Sequence, residues 1–310
     1  MLGGVSAPRV TVTGATGLIG RRAVSALQDS GAQVTVLTRD PAGARERLGE
    51  VEAVAWQMMR EPAPAEALSG RDAVLHLAGE PVAQRWSARA RRAIRESRVT
   101  GTGNLLEGLR DAEPRPRTLV SSSAIGYYGA HGEEPLDEDA PPGRDFLAGV
   151  CVEWEAAAAS ATGLGMRVVL VRTGVVLDRE GGALSSMLPP FRIGVGGPVA
   201  GGRQFISWIH TDDLIAMMLA ALQDERWSGP INATAPEPVR NRDFSHALGA
   251  ALHRPSLLPV PGAALRLLYG EMASMITTGA RVVPAKPLVL GYEFLHPHVQ
   301  EALGSALAGG

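Results

Sequence analysis

Three glycines near the start of the chain have the spacing of a loop that could hold phosphate groups against its backbone. Gly14, Gly17 and Gly20 form the pattern G-x-x-G-x-x-G. The β-branched run Val10–Thr13 precedes them and predicts a strand, and apolar residues at helical spacing follow them. In this context the first glycine permits a tight turn, the second lets the backbone approach a pyrophosphate, and the third allows close packing of helix on strand. The helix N-terminus would present free N–H groups to the phosphates. The predicted loop contains Gly14, Ala15, Thr16, Gly17, Leu18, Ile19 and Gly20.

The end of the second predicted strand should select the nucleotide. An acidic residue about 20 positions beyond the glycines would bind a ribose 2′-hydroxyl, whereas an arginine there would accept a 2′-phosphate. This strand ends in Leu37-Thr38-Arg39-Asp40, and Arg45 follows nearby. Arg39 therefore favours NADP over NAD. The alternative is that Asp40 binds the ribose and that Arg39 is merely solvated.

Further segments resemble the extended and atypical short-chain dehydrogenase/reductase superfamily. The resemblance rests on Thr13–Gly20, on Leu77-Ala78-Gly79-Glu80 with leucine in place of an asparagine, on Gly101–Leu106 and on Trp208–Asp213. It implies a Rossmann fold and places a second group of residues beside the cofactor. That group consists of Leu77, Ala78, Gly79, Glu80, Ser121 and Ser122.

Within that superfamily the chain is most similar to the YfcH-like epimerase family. The similar segments are Leu77–Pro81, Ser123–Gly129, Arg172–Leu177, Met187–Gly197 and Gly202–Asp213, together with a C-terminal region that includes Leu248–Pro255 and Gly291–Phe294. The resemblance covers essentially the whole chain. It implies a nicotinamide-dependent reaction on a nucleoside-diphosphate sugar, although fold by itself does not establish function.

The usual catalytic pair of the superfamily is missing. That pair is Tyr-x-x-x-Lys, in which the lysine lowers the tyrosine pKa so that the phenol exchanges a proton during hydride transfer. The only lysine is Lys286, and the residue four positions before it is Val282. By resemblance the pair belongs within Asp145–Glu155, where Asp145 and Gly149 are expected at the two positions. The standard proton relay therefore cannot operate.

Other residues could take part in catalysis or bind the substrate. Ser123 ends a predicted strand and matches the superfamily serine, while Tyr127 and Tyr128 follow closely. Arg98 occupies a position where relatives carry an asparagine, and it could supply fixed positive charge but not a proton. Cys151 is expected to be a buried, inert thiol. The candidates for substrate binding are Arg172, Arg203 and His210, where the arginines could clamp a phosphate or carboxylate. Surface arginines and a structural histidine are the alternatives.

The elements that must position these residues alternate between strand and helix as far as Arg172. This alternation predicts an α/β fold, a Rossmann-type doubly wound parallel sheet, with a smaller C-terminal substrate lobe. Residues 1–172 would form mainly the nucleotide-binding domain and residues 173–310 mainly the lobe, the two interleaved in one compact unit. Helices are expected at Ile94–Leu109, Glu153–Ala161, Asp212–Leu222, Asn241–Leu252 and Ala263–Met272.

Composition excludes several classes of function. The chain has 310 residues, of which 45% are hydrophobic, a formal net charge of −2 and one cysteine. No nucleic acid or membrane partner, no disulfide and no targeting segment is expected, and the cytoplasm is the simplest location. The seven histidines are scattered without metal-ligand spacing, so no metal is expected. The arginine-rich segment Arg85–Arg98 reads as a solvated helix face. A monomer or homodimer remains open.

Two functions follow. The first is an NADP-dependent oxidoreductase or epimerase acting on a polar small molecule such as a nucleotide sugar. The alternative is a non-catalytic NADP-binding sensor or regulatory protein, which agrees with the missing Tyr-Lys pair.

Overall fold

A computed structural model describes residues 7–308 and shows a central sheet of seven parallel strands. The strands of the described residues, both within and outside this central sheet, are in chain order β1 Arg9–Thr13, β2 Gln33–Thr38, β3 Glu52–Ala55, β4 Ala73–His76, β5 Thr118–Ala124, β6 Pro135–Leu136, β7 Arg167–Thr173, β8 Val175–Leu177, β9 Phe205–Ile206, β10 Trp208–His210, β11 Gly229–Ala233, β12 Val239–Arg240 and β13 Arg281–Val282. The order across the central sheet is β11-β7-β5-β4-β1-β2-β3. The order reverses between β1 and β4, and this is the crevice in which doubly wound sheets bind ligands. The predicted fold class is confirmed.

The helices cover both faces of this sheet and build the lobe beside it. They are α1 Leu18–Asp29, α2 Pro41–Leu48, α3 Ala88–Asp111, α4 Phe146–Ala159, α5 Gly182–Arg192, α6 Thr211–Gln223, α7 Asn241–Ala251, α8 Gly262–Tyr269, α9 Ala273–Thr277, α10 Ala285–Val289 and α11 Val299–Ala308. Short 3-10 turns lie at Ala65–Ala67, Ile125–Tyr128, Ser160–Leu164 and Gly270–Met272. None of the helices within residues 7–308 combines the length and apolarity needed to cross a membrane.

Two apolar layers hold the helices on the sheet. On one face, side chains of α1 and α6 pack on β-strand residues such as Leu75 and Val120. On the other face, α3 and α4 pack on Val74 and Leu119. Neighbouring residues of one strand thus point into opposite cores, as the two-residue period of a strand requires. A third core joins α5, α7 and α11 around the fully buried Trp208.

The C-terminal part of the chain contributes to the nucleotide-binding sheet. Strand β11 pairs with β7 in parallel, Asn232 beside Arg172, and α6 packs on α1. Both elements lie beyond residue 172. The chain therefore returns to the central sheet beyond the boundary proposed at that residue.

Several element boundaries differ from the expectations. Helix α4 begins at Phe146, well before the expected Glu153, because the Asp145 side chain accepts the Ala148 N–H and caps the helix. The helix expected over Ala263–Met272 ends at Tyr269, where Gly270 takes a φ of +62°. Strands β3 and β11 and helix α11 were not expected.

Candidate cofactor and active site

The glycine loop has the close packing that its spacing predicts. Gly14 has a φ of +68°, and a Cβ there would lie 2.7 Å from the Leu77 carbonyl carbon and from the Ala78 nitrogen. A Cβ on Gly20 would lie 2.2 Å from the Gly14 carbonyl oxygen. Side chains at these positions would force the turn apart, so the sequence must be glycine there. Gly17 precedes α1 without a side-chain cap, which leaves the first N–H groups of that helix facing the crevice.

The segment Leu77–Glu80 is tied directly to the glycine loop. The Thr13 Oγ1 accepts hydrogen bonds from the Leu77 and Ala78 N–H groups at 3.2 and 3.3 Å. It also lies 2.7 Å from His76 Nδ1, to which it must donate. His76 Nε2 then donates to Thr102 Oγ1 at 3.1 Å. This chain of bonds fixes the segment after β4 beside the loop after β1, where the sequence predicted cofactor contacts.

Arg39 and Asp40, the two candidates for contact with the nucleotide ribose, follow β2 and have different surroundings. Arg39 is exposed and makes no side-chain hydrogen bond or ion pair with any residue in the described range 7–308. The Asp40 carboxylate accepts the Gly43 N–H at 3.0 Å and caps α2. Asp40 therefore already has a structural partner, whereas the guanidinium of Arg39 projects at the strand end.

The serines at the end of β5 differ in accessibility. Ser121 and Ser123 are buried on one side of the strand, and Ser122 is half-buried on the other. Ser123 Oγ donates to Glu155 Oε1 at 2.6 Å. Its proton is therefore held by a carboxylate of α4 rather than directed into the crevice.

Arg172 lies at the centre of a buried polar cluster. It donates from Nε and Nη2 to the two carboxylate oxygens of Glu155, and from Nη1 to the Tyr128 hydroxyl at 2.8 Å and to the Glu138 carbonyl. Burial opposes the charge of Arg172, but the hydrogen bonds and charge of Glu155 prevail and raise its pKa. The guanidinium also lies 3.6 Å from the Tyr127 ring centroid. Because the arginine is buried and paired, it is not open to a substrate phosphate, and its assignment as a substrate clamp is corrected.

The Tyr128 phenol is equally enclosed. It is 0% exposed, and its hydroxyl donates to Asn232 Oδ1 at 2.6 Å. Burial raises the pKa of Tyr128 to about 12. Because the hydroxyl is enclosed and already bonded to Asn232 and Arg172, it is not directed into the crevice, and the structure argues against the assignment of Tyr128 as a catalytic residue. Tyr127 is only partly buried and is the tyrosine of the pair that can be reached.

Glu138 links this cluster to the C-terminal part of the chain. Its carboxylate accepts the Asn232 N–H at 2.9 Å and the Lys286 N–H at 3.0 Å. Burial raises the pKa of Glu138. The only lysine thus contributes its backbone to this cluster, while its ammonium group contacts the Ser228 and Pro230 carbonyls.

Arg98 lies beneath the Leu77–Glu80 segment. Its Nη1 donates to the Glu80 carbonyl at 3.0 Å and to the Ile94 carbonyl at 3.1 Å, and its guanidinium lies 4.9 Å from the Trp154 ring centroid. Burial lowers the pKa of Arg98. No ion pair joins Arg98 to a carboxylate among residues 7–308, so its charge is less compensated than that of Arg172.

The positions facing the crevice on α4 are not those expected for the missing Tyr-Lys pair. Gly149 is exposed and Asp145 is the helix cap. Leu147 and Cys151, one helical turn apart, are the residues that meet Gly126 after β5. Cys151 is buried, and burial raises its pKa to about 12. The i, i+4 pair at this face is therefore apolar and cannot relay a proton.

The two remaining substrate candidates lie in different places. His210 caps α6, with Nδ1 accepting the Asp212 N–H at 3.2 Å. Arg203 is exposed in the lobe, and its carbonyl accepts a hydrogen bond from Arg240. The structure groups Ser123, Tyr127, Tyr128 and Arg172, while Arg98 lies on the cofactor side of the same region.

Sequence reasoning missed His76, Glu155, Glu138 and Asn232. All four are buried polar residues in otherwise apolar strands, helices or loops. A buried polar group requires hydrogen-bonding partners. Glu155, one turn after the apolar stretch of α4, and His76, ending the apolar run of β4, were the available signals.

The sheet order, the crevice and the glycine loop define a Rossmann-type NAD(P)-binding protein. The chain belongs to the NAD dependent epimerase/dehydratase family, whose model matches residues 10–233; a second model, described as a domain of unknown function, matches residues 260–306. The predicted resemblance to an epimerase family with its own C-terminal domain is thereby confirmed.

Individual relatives support this membership. An epimerase family protein SDR39U1 homolog of Arabidopsis thaliana is 42% identical over 95% of this chain and 85% of its own. The crystal structure of human epimerase family protein SDR39U1 with NADPH has a TM-score of 0.87 at 34% identity and covers 97% of this chain and 99% of its own. A UDP-galactose 4-epimerase structure, at 22% identity and a TM-score of 0.74, covers 96% and 97% and shares the fold.

Proposed function

We propose that this chain is an NADP(H)-dependent oxidoreductase or epimerase that acts on a polar small molecule such as a nucleotide sugar. The observation that carries the choice of nucleotide is the pair at the end of β2, where Arg39 projects and Asp40 caps α2. A guanidinium suits a 2′-phosphate, which it binds with charge-assisted hydrogen bonds. The human relative crystallised with NADPH supports the same choice.

The residues present fit a nicotinamide dinucleotide. Gly14 and Gly20 leave no room for a Cβ, and the N-terminus of α1 is open for the pyrophosphate. When bound, the cofactor supplies hydride transfer. The residues that would hold it, besides the glycine loop, are Leu77, Ala78, Gly79 and Glu80 after β4 and Ser121 and Ser122 of β5.

Arg98 takes over part of the task of the missing lysine. A fixed positive charge near the reacting oxygen would stabilise negative charge that develops there, without donating a proton. Tyr127 is the accessible hydroxyl for proton exchange or substrate contact. Ser123, held by Glu155, acts as a positioning residue at the end of β5, and Arg203 is the candidate for the polar end of the substrate.

A non-catalytic NADP-binding sensor is the second candidate. The observation that favours it is the Leu147 and Cys151 pair, together with the buried phenol of Tyr128, because these three side chains do not form the usual Tyr-Lys relay. Such a protein would bind NADPH tightly and turn nothing over.

Nucleotide binding is tested by titrating purified protein with NADPH and with NADH. Arg39→Ala should weaken NADPH binding by about 10- to 100-fold, since a hydrogen bond to a charged group contributes about 1.5–3 kcal/mol. It should leave NADH binding unchanged. Arg47→Ala, which removes an exposed arginine of neighbouring α2, is the matched control. If both variants bind NADPH as the parent protein does, the assignment of Arg39 is wrong.

Catalysis is tested by mixing the NADPH complex with a panel of carbonyl compounds and nucleotide sugars and following nicotinamide absorbance and product isomers. Turnover that falls in Arg98→Gln and Tyr127→Phe while NADPH affinity is kept would support the enzyme. Tight NADPH binding with no turnover across the panel would favour the sensor.

A further inference from the structure

Two histidines that are far apart in the chain meet at the N-terminus of α6. The His210 and His296 ring centroids lie 3.9 Å apart, with the rings tilted by 43°. Asp212 bridges them, with Oδ2 lying 3.5 Å from His210 Nδ1 and 3.6 Å from His296 Nε2. The three donor atoms of this cluster lie within 4.8 Å of one another. It joins the end of β10 to the segment that precedes α11.

These separations suit a transition metal. In a tetrahedral site with metal–ligand bonds of about 2.1 Å, neighbouring donor atoms lie about 3.4 Å apart. The distances of 3.5 and 3.6 Å from Asp212 Oδ2 to the two histidine nitrogens lie close to that value. Two imidazoles and one carboxylate leave a fourth position for water, and Asp212, which is largely exposed, opens that position to solvent.

The His210 ring has an unmet polar group. The residue is 5% exposed, and its Nε2 is buried without a hydrogen-bond partner among residues 7–308. The other ring nitrogen, Nδ1, is the one that lies 3.5 Å from Asp212 Oδ2 and is therefore the donor atom of the cluster. Because Nδ1 accepts the Asp212 N–H, the ring carries its proton on Nε2 and keeps a lone pair on Nδ1.

The backbone at His296, the third ligand, is held in place by Asp213, the residue that follows Asp212. Asp213, which is 1% exposed, accepts hydrogen bonds from the Leu295 N–H at 2.8 Å, the His296 N–H at 3.0 Å and the Tyr292 hydroxyl at 3.0 Å. Because two of these are backbone bonds, they fix the chain at His296 whatever its side chain binds. The site is therefore largely preorganised before any ion enters.

The surrounding charge also favours a cation. The carboxylates of Asp178, Asp212 and Asp213 all attract positive charge at His210. Arg22 forms an ion pair with Asp178 at 3.3 Å. The N-terminal end of α6 acts against a cation. Three carboxylates against one arginine leave a negative balance around the rings. A metal would replace the 3.2 Å hydrogen bond from the Asp212 N–H to His210 Nδ1.

We infer that His210, Asp212 and His296 form a binding site for a divalent transition metal with a preference for nitrogen ligands, of the Zn²⁺ class. The histidine spacing in the sequence predicted no metal, because the ligands come from two distant segments. The ion would link the segment before α11 to α6. It lies outside the residues assigned to nucleotide binding, so it serves to fix the C-terminal region on the nucleotide-binding domain.

The test uses the full chain, without a histidine tag, after treatment with chelator. We expect a single equivalent of Co²⁺ to give the visible absorption of a tetrahedral site, and Zn²⁺ to displace it. His296→Gln and Asp212→Asn should each weaken Zn²⁺ affinity by at least about tenfold, since loss of even an outer-shell partner costs that much. His298→Gln is the matched control, because His298 is exposed and faces Glu237 instead.

Far-UV circular dichroism and NADPH titration establish that each variant is folded. Loss of binding in folded His296→Gln, with binding kept in His298→Gln, supports the site. Absence of stoichiometric Co²⁺ and Zn²⁺ binding in the parent protein overturns it. Equal Zn²⁺ affinity in the two histidine variants also overturns it, because the ion would then bind elsewhere.

Discussion

Arg172 holds Glu155 by two parallel hydrogen bonds, from Nε to Oε1 at 2.8 Å and from Nη2 to Oε2 at 2.9 Å. Both side chains are almost fully buried. The pair links β7 to α4 at the level where β5 delivers Ser123 to the crevice. An arginine that resembles a ligand clamp in the sequence is thus part of the internal frame of the site.

Breaking this pair should be far more costly than breaking an exposed one. Glu155→Ala leaves a buried guanidinium without its counter-charge, so the free energy of unfolding should fall by about 3–5 kcal/mol. Urea denaturation measures the change. Glu96→Ala, which removes the exposed partner of Arg92, should cost about 0.5 kcal/mol or less. Equal losses in the two variants would show that the buried pair contributes no more than a surface pair.

The third glycine of the loop should tolerate no side chain. In Gly20→Ala the new methyl group would meet the Gly14 carbonyl oxygen, and the loop must move. We expect a loss of about 1–3 kcal/mol in the free energy of unfolding, with strongly weakened NADPH binding. Gly103→Ala in α3 has open space and should be neutral or gain about 0.5–1 kcal/mol. If Gly20→Ala binds NADPH as tightly as Gly103→Ala does, the close packing at Gly20 is not needed for nucleotide binding.

Local patterns predicted the nucleotide-binding half of the fold well. The strand before Gly14, the glycine spacing and the strand-helix alternation are each encoded in a few neighbouring residues. Strand β11 was missed because its short run, Gly229–Ala233, begins with glycine and proline, and only its pairing with β7 makes it part of the sheet. That pairing is a long-range contact, which no local pattern reports.

The sequence predicted which polar residues belong to the candidate site better than it predicted where their side chains point. Ser123, Tyr128 and Arg172 lie together, but Glu155 and Asn232 turn all three of these candidates inward. Sequence shows which polar residues are present. Whether a phenol meets solvent or a buried amide depends on the packing of three separate elements, and this determines its pKa.

His76 should make stability depend on pH. Burial lowers its pKa from 6.5 to about 4. Between these values the unfolded chain binds more protons than the folded one, so this contribution is fully present above pH 6.5 and is lost as the pH falls towards 4. The linked change is about 3 kcal/mol.

The measurement compares unfolding free energies of the parent protein and His76→Gln at about pH 7 and about pH 4.5. Glutamine can still accept from Thr13 and donate to Thr102, but it does not titrate. The variant should be less stable near neutrality and lose less stability on acidification. His298→Gln, which changes an exposed histidine, should follow the parent protein. Identical pH dependence in parent and His76→Gln would contradict the assignment.

Asp213 should determine whether the C-terminal segment stays docked on α6. Its carboxylate accepts from two backbone N–H groups and one hydroxyl, so Asp213→Asn turns one acceptor into a donor that faces another donor. A buried unsatisfied donor costs about 1–3 kcal/mol. Hydrogen exchange should therefore become faster at the Leu295 and His296 amides, while β1 keeps its protection. Asp224→Asn, at the C-terminal end of the same helix, should leave both amides protected. Unchanged exchange in Asp213→Asn would mean that apolar contacts of Tyr292 and Phe294 with the core, rather than this carboxylate, hold the segment.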